Sequence, residues 1–257
     1  MNLLTKIILA ALLCCQLPPT AINPYPSVGD IPTPPGFHRL AAPPDDFTSW
    51  LRQLPLKKDR TVFLYNGQPK HNQDAQYAVL DVSVGHQDLQ QCADAVMRLR
   101  AEYLYAQHRF PEIDFYSEQG VRLNFAGWAD RHHNYSRATF DSYLATVFAY
   151  CSTRTLEKAL SPESFKKLSD GDVLIRGGSP GHAMLVIDIA EDAHGHRIYL
   201  LAQSYMPAQD IHIVKNPTEP GLSPWYRADQ SGPIIETPEY TFTTNQLRTW
   251  PRPAVKN

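Results

Sequence analysis

Three side chains in this 257-residue sequence have the types and the order for nucleophilic chemistry: Cys92, His182 and Gln203. A thiol attacks as its thiolate, and the free amide donors and dipole at a helix N-terminus favour that form. Cys92 lies near the start of Asp88 to Gln107 (DLQQCADAVMRLRAEYLYAQ), where Leu89, Cys92, Ala93, Val96, Leu99 and Tyr103 recur at helical spacing behind an Asp88 N-cap. His182 follows the turn Gly177-Gly178-Ser179-Pro180-Gly181 and opens a strand, a place that displays a side chain at a sheet rim. Gln203 ends the next strand, so antiparallel pairing brings its amide toward the imidazole. A thiol beside an imidazole that a third polar group orients is the logic of a cysteine hydrolase: Cys92 nucleophile, His182 base and acid, Gln203 orienting group. Amides at the helix start would stabilise an oxyanion. Each residue also has a plainer role open to it. Cys92 recurs with an apolar face and is by default an inert buried thiol; His182 can cap its turn; Gln203 can satisfy strand-edge backbone.

The elements that must hold these residues are legible in outline. Phe47 to Leu54 has helical spacing behind Asp45 and Asp46, and Phe140 to Tyr150 reads as a second long helix capped near Thr139. Thr61 to Tyr65 and Tyr77 to Val84 read as strands, the first followed by the turn pair Asn66-Gly67. In the last third, Asp172 to Arg176, Ala183 to Ile189, Arg197 to Ala202 and Asp210 to Val214 read as strands joined by Gly-containing turns. Helices followed by an antiparallel meander predict an α+β fold in one domain over residues 45–253, behind a Pro-rich tether and lead-in over 22–44.

Composition narrows the class. Hydrophobic residues make up 43% and aromatics 11%, enough for a core, and the net charge of -2 with interspersed signs offers no basic field for nucleic acid or anionic lipid. Lys6 ahead of the apolar run Ile7 to Leu13 has the layout of a secretion signal too short to remain as a membrane span, so residues 1–21 are expected to direct export. The pair Cys14-Cys15 leaves a lipid anchor through Cys15 open beside free secretion, and the location follows: periplasm, outer-membrane lipoprotein or secreted. Cys92 and Cys151 remain in the folded part, where an oxidising compartment permits one disulfide.

A resemblance adds to this reading. Gly171-Asp172-Val173 with Gly181-His182-Ala183-Met184-Leu185-Val186 resembles the histidine strand of papain-like cell-wall peptidases of the NlpC type, whose chains also run cysteine helix, histidine strand, third polar residue. Gln91 before Cys92 and Ala93 after it depart from their Asp-Cys-Ser-Gly surroundings. More closely, QQCADAVMRLRAEYLY (Gln90 to Tyr105), GDVLIRGGSPGHAMLVID (Gly171 to Asp188) and LLAQSYMPAQDIHIVKNP (Leu200 to Pro217) resemble a family of exported bacterial proteins known as domain of unknown function 4846, from about Phe37 to Trp250. The resemblance implies a papain-like α+β fold and export. The activity expected is thiol-dependent hydrolysis or transfer at an amide bond, such as in cell-wall peptides; the alternative is a non-catalytic envelope binding protein that keeps the cleft.

Other constellations point less far. His132-His133, His182, His194 and His196 lack a helical i, i+4 pair and give no ligand frame, so neither a metal nor a cofactor is expected. Cys151 ends an apolar helix, where the dipole raises a thiol pKa. Tyr205-Met206-Pro207 and Trp225-Tyr226 are candidates for cleft walls or for packing, and Trp128 with Arg131 for a carboxylate contact or a surface ion pair.

Overall fold

Continuous apolar runs in the last third of the chain, buried on both faces, build the sheet on which everything else is placed. The computed structural model describes residues 22–229 and 232–251. In chain order the strands and helices are β1 (Phe37–Arg39), α1 (Phe47–Arg52), β2 (Gln76–Val79), α2 (Cys92–Ala106), β3 (Asp114–Tyr116), β4 (Arg122–Asn124), α3 (Phe125–Arg131), α4 (Arg137–Tyr150), α5 (Thr153–Ala159), β5 (Ser161–Pro162) and β6 (Val173–Arg176). Then follow β7 (His182–Asp192), β8 (Arg197–Gln203), β9 (His212–Val214), β10 (Tyr226–Arg227), β11 (Ile234–Glu236), β12 (Thr241–Thr243) and β13 (Leu247–Thr249). The main sheet runs β2-β9-β8-β7-β6-β13-β5, with β1 and β10 added on β7 and β8, and every pairing is antiparallel. The chain is a single α+β domain with five α-helices among the described residues.

The pleat of β7 separates two cores. Ala183, Leu185 and Ile187 pack with α2, through Ala93, Val96 and Met97, in the larger cluster. Met184 and Val186 face the other way, toward Phe242 of β12 and Leu247 of β13. A register shift between Val186 and Asp188 turns the fully buried Asp188 carboxylate to the helix side, where Arg39 (2.7 Å) and Arg52 (2.8 Å) hold it. This bulge ties β1 and α1 to the central strand.

Several boundaries differ from the expected ones for physical reasons. The long helix starts at Cys92, not Asp88. Gln91 is its N-cap residue and donates its N–H to Asp94 Oδ2 at 2.9 Å, whereas Asp88 Oδ1 accepts from the Ala208 N–H at 2.7 Å. The second long helix begins a turn early, at Arg137, because Ser136 rather than Thr139 caps it. Thr61 to Tyr65 makes only the isolated pairings Phe63 with Pro69 and Leu64 with Gln209. The Pro-rich lead-in is part of the packed body: Val28 and Ile31 are fully buried. The expected leader, with Cys14 and Cys15, lies outside the described residues. No helix among those described is long and apolar enough to cross a membrane.

Candidate active site

The turn before β7 fixes where His182 stands. The backbone folds back so tightly at Gly181 that a Cβ there would run into the Gly178 carbonyl oxygen, with Thr153 Oγ1 at 2.6 Å and the Arg176 carbonyl oxygen at 2.8 Å. Only glycine fits. His182 emerges in phase with Met184, so its ring lies on the β12 face, between Tyr205, Tyr240 and Phe242 with centroids 4.8, 5.0 and 5.9 Å away. Register pairs Leu185 with Ala202, which sets Gln203 diagonally across from His182 on the same face. The two meet there: His182 Nε2 lies 2.7 Å from Gln203 Oε1.

Gln203 is saturated by partners that sequence reading did not single out. Its amide nitrogen donates to Glu239 Oε2 at 2.8 Å and lies 3.2 Å from His212 Nε2. Glu239 in turn takes Lys70 Nζ at 2.5 Å and Asn72 Nδ2 at 3.1 Å. His212 Nδ1 is 2.9 Å from the Asp210 carbonyl oxygen. His182, Gln203, His212 and Lys70 are all buried. A histidine inside the alternation of Asp210 to Val214 was the one available signal. Lys70 and Glu239 sit 169 positions apart and carry none.

Cys92 arrives from the opposite side of the strand. As the first residue of α2 it belongs to the helix-facing side, and the Ala183 N–H, next to His182 in the chain, donates to its sulfur. Cys92 and His182 line one cavity of about 450 Å³ at the rim where β7 begins. Among the described residues no hydrogen bond joins the sulfur to the ring. Among the described residues Nδ1 of His182 has no hydrogen-bond partner, and with Nε2 taken by Gln203 it is the ring nitrogen left to the cavity that His182 lines. Tyr205 and Met206 line the same space with Tyr240, whereas Trp225 and Tyr226 are buried packing. The lining carries the acids Asp88 and Asp94 and neither Lys nor Arg.

Burial decides the protonation states. It pushes the Cys92 thiol up to about 11, against the opposing Ala183 N–H, so desolvation outweighs the helix N-terminus expected to favour a thiolate. It pushes His182 down to about 4, against Gln203 and Glu239, and His212 down to about 3. At neutral pH the resting pair is therefore thiol and neutral imidazole. Asp94, whose Oδ1 has no partner among the described residues, is pushed up to about 8 by the same burial. Cys151 also lines the cavity and is a free thiol, as is Cys92; burial pushes it up to about 12.

The remaining histidine and aromatic candidates sit elsewhere. His194 and His196 occupy the β7–β8 turn, where His196 Nδ1 meets Asp192 Oδ2 at 2.9 Å. His132 stacks on Trp128 with centroids 5.1 Å apart, and Arg131 lies over the same indole. No group of three His, Cys, Asp or Glu that could hold a metal ion occurs among the described residues.

Comparison with known proteins gives a family and nothing nearer. No curated protein matches the chain, and no solved structure does. The family profile described as "Domain of unknown function (4846)" matches residues 29–249, which takes in the whole sheet and every residue of the cavity. The chain belongs to the family of domain of unknown function 4846.

Proposed function

We propose that the protein is a thiol-dependent hydrolase or transferase acting on an amide bond, with Cys92 as nucleophile, His182 as general base and acid, and Gln203 as the orienting group. The observation that carries this reading is the His182–Gln203 hydrogen bond at 2.7 Å, which spends Nε2 and leaves Nδ1 to the cavity that Cys92 lines. In the attack, the Sγ proton passes to Nδ1 as sulfur bonds to the carbonyl carbon. The imidazolium then returns that proton to the leaving amine, and water or an acceptor amine releases the acyl group. The N–H groups of Cys92 and Ala93 at the helix start are the candidate oxyanion donors. A papain-like fold for the helix-and-sheet frame belongs to the same proposal. So do export on residues 1–21, by free secretion or with a lipid anchor through Cys15, and cell-wall peptides as the substrate.

Three observations favour the second reading, a non-catalytic envelope protein that binds a ligand in this cavity. Cys92 is only 8% exposed, its thiol is pushed up to about 11, and it makes no hydrogen bond to His182. Incubation with a panel of peptide amides and activated esters, followed by intact mass, separates the two. The hydrolase reading expects an acyl adduct on Cys92 that disappears, with turnover, in Cys92→Ala. Binding that is equal in wild type and Cys92→Ala, with neither adduct nor turnover, favours the binding protein.

A further inference from the structure

We propose that Glu239 is a positioning residue for His182: acting through Gln203 and together with His212, it fixes which ring nitrogen carries the proton. This inference deepens the hydrolase reading and rests on it for its catalytic meaning, but the hydrogen-bond chain itself is read from geometry.

A primary amide has a donor end and an acceptor end, and its neighbours decide which way round it sits. Glu239 Oε2, paired with Lys70 at 2.5 Å, is an acceptor, so the Gln203 group 2.8 Å from it must be the NH₂. His212 gives the same answer independently. Its Nδ1 faces the Asp210 carbonyl oxygen at 2.9 Å and therefore carries the proton. The neutral ring then offers the Nε2 lone pair to the second amide hydrogen at 3.2 Å. Both hydrogens of Gln203 are thereby placed, and Oε1 faces His182. An oxygen at 2.7 Å requires Nε2–H, which leaves the lone pair of a neutral His182 on Nδ1, at the cavity. With the amide reversed, NH₂ would face Nε2 and the proton would move to Nδ1, the nitrogen that must accept the thiol proton. Asn72, on the other carboxylate oxygen at 3.1 Å, keeps Glu239 from turning away. The negative Glu239 also favours the imidazolium, while Lys70 opposes it.

The test compares two double variants that both lose the buried ion pair and differ only in whether position 239 can accept a hydrogen bond. Glu239→Gln with Lys70→Met keeps an acceptor; Glu239→Leu with Lys70→Met has none. Long-range ¹H–¹⁵N spectra of histidine-labelled protein at pH 7 read the His182 tautomer directly. The wild type and the glutamine variant are expected to be Nε2–H. In the leucine variant the Nδ1–H form is expected to be at least tenfold more populated. Equal tautomer ratios in the two variants overturn the proposal. If the leucine variant does not fold, the wild type decides. An Nε2–H ring, with a coupling across the hydrogen bond from Gln203 Nε2 to the Glu239 carboxyl carbon, sustains the proposal; an Nδ1–H ring or no coupling overturns it. The tautomer is read without substrate, so a shift in the leucine variant beside an unreactive Cys92 would support the positioning role while removing the hydrolase.

Discussion

The imidazole of His182 and the amide of Gln203 meet at 2.7 Å across two neighbouring strands, 21 positions apart in the chain, and both are almost wholly buried. Replacing Gln203 by Leu leaves Nε2 of His182, Glu239 and His212 each short of a partner. A buried polar group left unpaired costs about 1–3 kcal/mol. Gln203→Leu is therefore expected to lose at least about 2 kcal/mol in urea denaturation. Gln203→Glu keeps an oxygen toward His182 but sets a second acid against Glu239, and is not expected to restore the loss.

Stability against pH reports on Asp94. Its folded carboxyl is pushed up to about 8 from 3.8 by burial. Below about 4 both folded and unfolded chains hold the proton. Between about 4 and about 8 only the unfolded chain releases it, so this group makes the fold less stable as pH rises through that window. Asp94→Asn keeps an acceptor for the Gln91 N–H and removes the titration. Its melting temperature relative to wild type should climb steadily from pH 4 to pH 8, by roughly 2–4 °C for each kcal/mol. A constant difference contradicts the assignment. His182 and His212 act with the opposite sign: pushed down to about 4 and about 3, they take no proton in the folded chain when the unfolded chain does, below about 6.5. Wild type and Asp94→Asn share that acid-side loss.

Gly181→Ala tests the turn. Overpacking of this kind costs about 1–3 kcal/mol, and relief comes only by moving the Gly178 or Arg176 carbonyl groups that set the start of β7. The expected result is a fold that survives with a displaced His182 ring signal. Gly67→Ala, at a turn where a Cβ meets nothing within 4 Å, should cost only its backbone strain and leave His182 unmoved. Chemical shifts of the labelled histidine distinguish the two.

Much of this architecture was legible because the signals were local. The periodicity of Val96, Leu99 and Tyr103 marks α2, and the apolar run Ala183 to Ile189 behind a Gly-rich turn marks β7. Strand order alone put Gln203 beside His182. What failed depended on distant contacts. Asp88 looks like an N-cap, but its carboxylate is taken by the Ala208 N–H, so the helix starts at Cys92. A helix start favours a thiolate, yet a residue 8% exposed loses more through desolvation than the amides return. Glu239 and Lys70 lie in connectors with no periodicity, and only the tertiary fold brings them behind Gln203. Nor does strand alternation reveal that His182 and Cys92 reach their cavity from opposite faces of one strand.

The most direct measurement is the rate at which a small thiol electrophile labels Cys92 and Cys151 at pH 7 in wild type and in His182→Ala. A thiol whose pKa stands near 11 with no assisting base is almost wholly protonated there, by about four powers of ten. If Nδ1 of His182 takes the proton as the sulfur attacks, wild-type Cys92 should react at least tenfold faster than Cys92 in His182→Ala, with Cys151 unchanged between them. Equal Cys92 rates in the two proteins would contradict a shared proton and leave the cavity to a bound ligand.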